Sequence, residues 1–260
     1  MTPFASEFLG TAVLAAIGTA VMCAARLPRT AGSATDGPGM GWLGIALGWG
    51  AALALGYLVN RRMDTHLNPA LTLAMWSVER TSTADAWSRV AGQGVGTVVG
   101  MALAWAAFIP HWARAPEGTA AGVLYRVPAI RAPLSNLLSS TLGSAILLSV
   151  LLRLSAGAPV PMDVDSSDAG MLPASMPPFM VANPAEGSLL AGLAFAAVIL
   201  GFGAIGSALH PALGIGGRFC HAVLPIPGKG RTDWSDAWIA IAGPALGAFI
   251  AAAVWRATVA

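Results

Sequence analysis

Long apolar segments alternate with short polar segments along most of this chain of 260 residues. A helix needs about 20 apolar residues to cross the hydrocarbon core of a bilayer. Six segments reach that length, and each is predicted to be a membrane-spanning helix. They run over about 4–27, 41–60, 87–109, 134–154, 188–207 and 237–255. The segments between them contain glycine, proline and charged residues, which favour turns and loops. The pattern therefore predicts an all-α membrane protein.

The composition agrees with lipid as the solvent for much of the surface. The chain is 56% hydrophobic and 10% charged, whereas a soluble domain carries about 25% charged residues. A soluble enzyme is excluded on this ground, and no cofactor is expected. The net charge of +2 gives no basis for nucleic-acid binding. Cys23 and Cys220 match no metal-ligand spacing, so two free thiols and no metal site are predicted.

The two halves of the chain resemble each other in sequence. Three segments of the first half recur in the same order in the second half: 7–12 at 140–145, 67–71 at 209–213, and 86–96 at 237–247. We expect a single domain over 1–260, with a first repeat at about 4–109 and a second at about 134–255. Because each repeat holds three spans, the second inserts upside down. Inverted repeats place the working site near the bilayer midplane.

A short motif stands at the equivalent place in each half. Asn68-Pro69-Ala70 follows the second span, and His210-Pro211-Ala212 follows the fifth. Asparagine is a strong helix N-cap, and proline is favoured at the first helical position. The apolar run after each motif is too short to cross a membrane, so each motif is predicted to begin a re-entrant half-helix. A third Asn-Pro-Ala sequence, at 183–185, lies in a loop and is interpreted as a coincidence.

The inversion gives these half-helices a common function. They enter from opposite faces and meet at the midplane with their N-termini, which carry partial positive charge and unpaired N–H groups. Cations and protons are repelled there, whereas water or a neutral hydroxyl-bearing solute can accept hydrogen bonds. Incompletely paired backbone is tolerated at this depth only where it lines a cavity. The sequence therefore predicts a pore beside Asn68 and His210.

At these residues the chain resembles the aquaporin and glycerol facilitator family, also called major intrinsic proteins. The resemblance covers nearly the whole chain, and it implies a divergent bacterial member of the family. It rests on residues 7–11, 66–72, Gln93, and Gly243-Pro244 with Gly247. It implies the hourglass fold, passive conduction, and a homotetramer in the bacterial cytoplasmic membrane with one pore per subunit. The N-terminus is placed in the cytoplasm on the resemblance alone, because basic residues are spread nearly evenly over both sides.

The resemblance also implies residues that brace the half-helix loops from behind, namely Glu7, His66 and Gln93. Glu7 is the only acid within a predicted span, and an intramembrane acid is a functional hypothesis by default. We expect its carboxylate to accept loop N–H groups, and a proton relay is the alternative. His66 is expected to line or brace the pore rather than to bind a metal. The fourth span has Ser140 at the position that matches Glu7.

The chain departs from the family pattern at the selectivity filter. The filter arginine of the family directly follows the second motif, and Leu213 stands there in this chain. Counting residues from the motifs assigns Gly48, Val198 and Ser207 to the other filter positions, which predicts a wide, weakly polar constriction. Trp49 adjoins Gly48. Since one residue turns about 100° around a helix, a shift by one would return an aromatic ring to the pore.

Two departures carry charge or a titratable ring. His210 stands where the family has asparagine, and we interpret it as a neutral polar cap because the helix terminus disfavours a protonated ring. A pH-responsive gate is the alternative. Before the first motif, Arg61, Arg62 and Asp64 replace small residues. They are interpreted as solvated interfacial charges, with a charged vestibule as the alternative.

The longest loop, at about 156–187, is rich in proline and acidic residues and has no Lys or Arg. A mobile linker is the simplest interpretation, and a gating lid is the alternative.

The leading hypothesis for function is a passive channel for small uncharged solutes such as glycerol-like polyols or urea, with water as a further candidate. A non-conducting scaffold or partner-binding subunit is the alternative, because an apolar constriction around Leu213 and Val198 can close by dewetting. A secondary transporter is a third class, for which Glu7 and His210 are the only central ionisable groups.

Overall fold

The computed structural model of the protein describes residues 1–34, 38–60, 65–156 and 184–259. Three features singled out in the sequence lie outside the described residues. They are the charged positions Arg61, Arg62 and Asp64, most of the proline-rich loop, and Asn183 of the third Asn-Pro-Ala sequence.

The described residues form helices, turns and loops, without strands. Six helices are long and apolar enough to cross a membrane, and two shorter ones begin at the two motifs. The helices are α1 (Pro3–Arg26), α2 (Gly41–Asn60), α3 (Pro69–Ser77), α4 (Thr83–Ala107), α5 (Ile109–Trp112), α6 (Thr119–Leu124), α7 (Pro133–Ala156), α8 (Pro184–Gly201), α9 (Pro211–Val223) and α10 (Ile239–Val259). The prediction of six spans and two half-helices is confirmed.

The fifth span differs most from its predicted bounds. α8 ends at Gly201, and the apolar sequence continues into a 3₁₀ turn at Phe202–Ile205. Gly206 follows with φ of 87°, a conformation that glycine adopts without a steric penalty. Apolar composition alone does not mark this helix end, because the residues of the turn are apolar too.

Equivalent helices of the two halves pack in equivalent pairs. α1 packs against α4, and α7 packs against α10. Glycines allow this close approach: a Cβ atom added to Gly96 would lie 2.5 Å from the carbonyl oxygen of Phe8, and one added to Gly247 would lie 2.6 Å from Cβ of Ser144. Small residues let membrane helices pack backbone against backbone. The repeat in the sequence is therefore a repeat in helix packing.

The two halves meet where α2 crosses α8. A Cβ atom added to Gly50 would lie 2.5 Å from the carbonyl oxygen of Gly192, and one added to Gly192 would lie 2.5 Å from that of Gly50. The contact is the same when the two halves are exchanged. This crossing therefore marks the axis that relates the repeats.

The interior contains polar side chains within an apolar core, and the outer surface carries many large apolar side chains. Glu7 and Gln93 are fully buried. Many large apolar side chains are exposed instead, among them Leu43, Leu103, Leu193 and Phe249. Such a distribution suits a lipid surface around a polar interior.

Adding one methyl group at the α2–α8 crossing is expected to destabilise the fold. In Gly192→Ala the new Cβ meets backbone that cannot rotate away, and overpacking of this kind costs about 1–3 kcal/mol. Gly94→Ala is the matched control, because nothing lies within 4 Å of its added Cβ. Thermal unfolding in detergent should show a lower midpoint for Gly192→Ala and no loss for Gly94→Ala. Equal midpoints would contradict the tight crossing.

Candidate functional site

The first turns of α3 and α9 are capped by the first residue of each motif. Oδ1 of Asn68 accepts a hydrogen bond from the N–H of Ala70 at 2.9 Å. Nδ1 of His210 accepts one from the N–H of Leu213 at 3.3 Å. Both side chains therefore pair an N–H group that has no partner within its helix.

The prolines and alanines of the motifs complete the two helix starts. Pro69 and Pro211 take the first helical positions, where an N–H group has no intrahelical partner to lose. Ala70 is buried and Ala212 is partly buried. Because these side chains are small, neighbouring groups can approach the backbone at both helix starts.

Each capping side chain also bonds to the segment that leads into the other half-helix. Nδ2 of Asn68 donates to the carbonyl oxygen of Leu209 at 3.1 Å. Nε2 of His210 lies 2.5 Å from the carbonyl oxygen of Leu67. Leu67 and Leu209 directly precede the opposite caps, so the two bonds are equivalent under the repeat. They hold the N-termini of α3 and α9 beside each other.

These contacts define the protonation state of His210. One ring nitrogen faces an N–H group, and the other faces a carbonyl oxygen. Only the neutral ring with its proton on Nε2 satisfies both, since an imidazolium has two donors and no acceptor. His210 is therefore a neutral cap in this geometry.

The carboxylate of Glu7 is fully buried and has four donors. Oε1 accepts from the N–H of His66 at 2.6 Å and from Nη1 of Arg89 at 2.8 Å. Oε2 accepts from the N–H of Leu67 at 2.7 Å and from Nε2 of Gln93 at 2.9 Å. The chain leading into α3 is thus tied to α1 and α4. Sequence reasoning did not assign Arg89 to this group, although its spacing of four from Gln93 places both on one face of α4.

A second set of bonds connects this group to the first cap. Oγ1 of Thr72 accepts from Nε2 of Gln93 at 3.1 Å and donates to the carbonyl oxygen of Asn68 at 3.2 Å. Nδ1 of His66 lies 3.0 Å from the same hydroxyl, and Thr72 can accept that bond too. Buried polar groups in such networks fix each other's geometry. His66 therefore lies in the network with both its ring and its backbone.

The second half uses hydroxyl groups in place of the carboxylate. Oγ of Ser140 donates to the carbonyl oxygen of Ala208 at 2.5 Å. Oγ of Ser207 donates to Oγ of Ser139 at 2.9 Å. The chain before α9 is thus tied to α7 without a buried charge. The direction of the bond is also reversed, because Glu7 accepts from backbone N–H groups whereas Ser140 donates to a backbone carbonyl.

A cavity of about 110 Å³ lies beside His210 and is also lined by Met22, near the C-terminal end of α1. One water needs roughly 10–15 Å³ when volume is measured in this way, so the cavity has room for a small solute. Three of the positions predicted for the constriction line it: Trp49, Ser207 and Leu213. Trp49 covers Gly18 of α1, and its ring meets that of Phe195 edge to face at 6.4 Å.

The cavity lining differs from the expectation at Gly48 and Val198. An added Cβ at Gly48 would lie 2.7 Å from Val21 of α1, and Val198 is buried in the core. Trp49 and Phe195 face the cavity instead. Counting back from Asn68 assumes a fixed length for the segment between α2 and α3. An error of one residue rotates a side chain by about 100°, and the 3₁₀ turn after α8 changes the phase again because it has 3.0 residues per turn.

Two arginines that were not predicted to face the pore also line the cavity, Arg126 and Arg218. Arg218 is 3% exposed. Its Nε donates to the carbonyl oxygen of Asp233 at 2.9 Å, and its Nη1 donates to that of Gly214 at 3.0 Å. Its guanidinium carbon lies 4.7 Å from the ring centroid of Tyr125. Arg218 follows Gly214 by four residues, which puts both on one face of α9.

Comparison with known proteins identifies the family. The family model of the major intrinsic proteins matches residues 1–159. The glycerol uptake facilitator protein of Streptococcus pneumoniae R6 is 33% identical over 257 residues, which cover 98% of both chains. The probable glycerol uptake facilitator protein of Thermotoga maritima is 32% identical over 262 residues, covering 98% of this chain and 99% of that one.

A solved structure shares the fold. The X-ray structure of the aquaglyceroporin from Plasmodium falciparum superposes with a TM-score of 0.73 at 22% identity, covering 98% of this chain and 95% of that one. The six apolar helices and the bacterial relatives make this a multi-pass protein of the bacterial cytoplasmic membrane. With a family model matched over more than half of its residues and relatives aligned over its full length, the chain belongs to the major intrinsic protein family.

Proposed function

We propose that this protein is a passive channel for small uncharged solutes, with glycerol-like polyols and urea as the solute class. The observation that carries the proposal is the pair of crossed bonds from Asn68 to Leu209 and from His210 to Leu67. They bring two helix N-termini to one point beside a cavity. Relatives named glycerol uptake facilitators support the same solute class.

The cavity beside this point suits a solute with one apolar and one polar side. The edge-to-face rings of Trp49 and Phe195 offer an apolar wall to a carbon chain, and Leu213 extends it. Ser207 and the cationic side chains offer polar contacts to hydroxyl groups. The two helix N-termini add positive potential that disfavours cations and protons. The proposed pathway therefore passes neutral solutes and rejects cations.

We assign supporting roles to the residues around this pathway. Glu7, His66 and Gln93 hold the segment that leads into α3, and Ser140 holds the segment that leads into α9. We also propose a homotetramer with one pore per subunit, which family membership supports. Apolar outer faces such as those of Leu43 and Leu193 would then contact neighbouring subunits or lipid.

The proposal is tested by stopped-flow light scattering on proteoliposomes. We expect glycerol and urea permeabilities above those of empty vesicles, with no dependence on a proton gradient. Light scattering of the detergent-solubilised sample should give the mass of four chains. No permeability above empty vesicles for any neutral solute would reject the channel, and uptake that requires a proton gradient would indicate a transporter.

Glu7→Gln tests the bracing role. The amide replaces an acceptor by a donor and removes the negative charge that pairs with Arg89. Breaking a buried pair by removing one partner costs about 3–5 kcal/mol, so the unfolding midpoint in detergent should fall clearly, together with glycerol flux. Glu79→Gln is the control, since Glu79 is exposed and should change neither. A stable, fully conducting Glu7→Gln protein would refute this role.

His210→Asn distinguishes a neutral cap from a pH gate. Asn68 shows that an asparagine can make both the capping bond and the crossed bond, so we expect the variant to conduct. The wild-type ring makes both bonds only when it is neutral, so these bonds oppose its protonation. Wild-type flux should therefore stay constant between about pH 8 and pH 6, the range in which a free imidazole titrates. A pH step in the wild type that disappears in His210→Asn would establish the gate instead.

A further inference from the structure

The loss of the filter arginine leaves position 213 without a charged donor. Leu213 lines the cavity and is 9% exposed, so an apolar side chain stands where a guanidinium would contact solute. Trp49, Phe195 and Ile199 line the same cavity. Without another donor, this part of the pathway would discriminate poorly between a polyol and a less hydroxylated molecule of the same size.

Arg126 reaches this cavity from a different part of the chain. It follows α6 by two residues, in the segment that connects the two repeats. It is partly buried and lines the cavity together with Trp42, Ser207 and Leu213. Position 213 of α9 supplies no guanidinium to the cavity. The segment between the repeats supplies one through Arg126.

The guanidinium of Arg126 is held in place on two sides. Nη2 donates to the carbonyl oxygen of Gly203 at 2.5 Å, in the turn after α8. The guanidinium carbon lies 4.9 Å from the ring centroid of Trp42, a distance at which a cation is attracted to an indole face. Trp42 is itself fixed, because its Nε1 donates to the carbonyl oxygen of Leu200 at 3.0 Å. A donor oriented in advance costs less entropy when a solute binds.

Arg126 remains charged and keeps donors free for a solute. Burial, with a smaller contribution from Arg26, lowers the pKa of Arg126 to about 10, so the group is a cation at neutral pH. A guanidinium has five N–H donors, and the bond to Gly203 takes one of them. A hydroxyl oxygen in the cavity can accept from the others, in the manner of a charge-assisted bond.

Arg218 is less suited to this role, although it lines the same cavity. It is almost fully buried, and two of its nitrogens donate to the carbonyl oxygens of Asp233 and Gly214. The bond to Asp233 fixes α9 to the loop before α10, and the bond to Gly214 lies within α9. We infer that Arg218 maintains the wall of the cavity and that Arg126 is the residue available to solute.

We propose that Arg126 is the selectivity residue of this channel, donating hydrogen bonds to the hydroxyl groups of a polyol whose carbon side faces Trp49 and Phe195. Arg126 lies in the segment between the repeats. From there it has the function that the arginine after the second motif has in the family. This inference rests on the proposed function, because it concerns which neutral solutes the channel prefers.

The test compares glycerol with 1,2-propanediol, which has the same carbon skeleton and one hydroxyl group fewer. Permeability to both is measured in proteoliposomes for wild type, Arg126→Met and Arg126→Lys. Loss of one charge-assisted bond corresponds to about a tenfold change, so the ratio of glycerol to 1,2-propanediol permeability should fall by about tenfold in Arg126→Met. Arg126→Lys keeps the charge but not the planar fork, and it should be intermediate.

Two further variants complete the experiment. Arg114→Met removes an exposed arginine whose Nη1 donates to the carbonyl oxygen of Pro110, and the ratio should not change. The double variant Arg126→Met with Leu213→Arg returns a guanidinium to the cavity from α9 and should restore the ratio. If Arg126→Met does not yield folded protein, the neutral Arg126→Gln is measured with the same expected fall.

The outcomes separate this inference from the proposed function. A wild type that conducts, with an unchanged ratio in a folded Arg126→Met or Arg126→Gln protein, would overturn the role of Arg126 and leave the channel assignment intact. An equal fall in Arg114→Met would also overturn it, because the effect would then be one of general surface charge. A wild type that passes no neutral solute would reject the proposed function itself.

Discussion

Two hydrogen bonds at the centre of the protein hold the N-termini of α3 and α9 together, and the rest of the structure supports this contact. Asn68 donates to the carbonyl oxygen before α9, and the ring of His210 bonds to the one before α3. Helix N-termini carry partial charges of the same sign, so bringing two together is unfavourable unless something holds them. These side chains do so while they also cap the helices. Glu7 and Gln93 in the first half, and Ser140 in the second, position the two segments that meet here.

The two halves reach this common arrangement by different chemistry. In the first half, a buried carboxylate collects four donors and fixes the segment before α3. In the second half, Ser140 donates to the backbone before α9, and Ser207 of that segment donates to the hydroxyl of Ser139, so this tie needs no buried charge. A buried ion pair is costly to desolvate, so the first half depends on complete pairing of Glu7. The second half avoids this cost with bonds between neutral groups.

The cavity beside the junction combines aromatic rings with arginines that come from outside the central motifs. Trp42 and Tyr125 each lie against a guanidinium, of Arg126 and Arg218 respectively. Both arginines also donate to backbone carbonyls, which fixes their planes. A channel of this family that lacks the arginine after its second motif therefore still has fixed cationic groups along its cavity.

The sequence by itself determined the architecture, because its signals are local and strong. Apolar length gave six spans, and Asn-Pro and His-Pro gave two helix starts. The order of matching segments gave the inverted repeat, and Glu7 stood out as an acid in an apolar span. Only the tertiary structure decided which side chains face the cavity. Trp49 replaces Gly48 there because one residue turns a helix by about 100°, and counting along the chain cannot resolve that rotation. The positions of three arginines, Arg89, Arg126 and Arg218, depend on contacts with segments that are distant in the sequence. A long flexible side chain is placed by the groups that surround it and not by its neighbours in the chain.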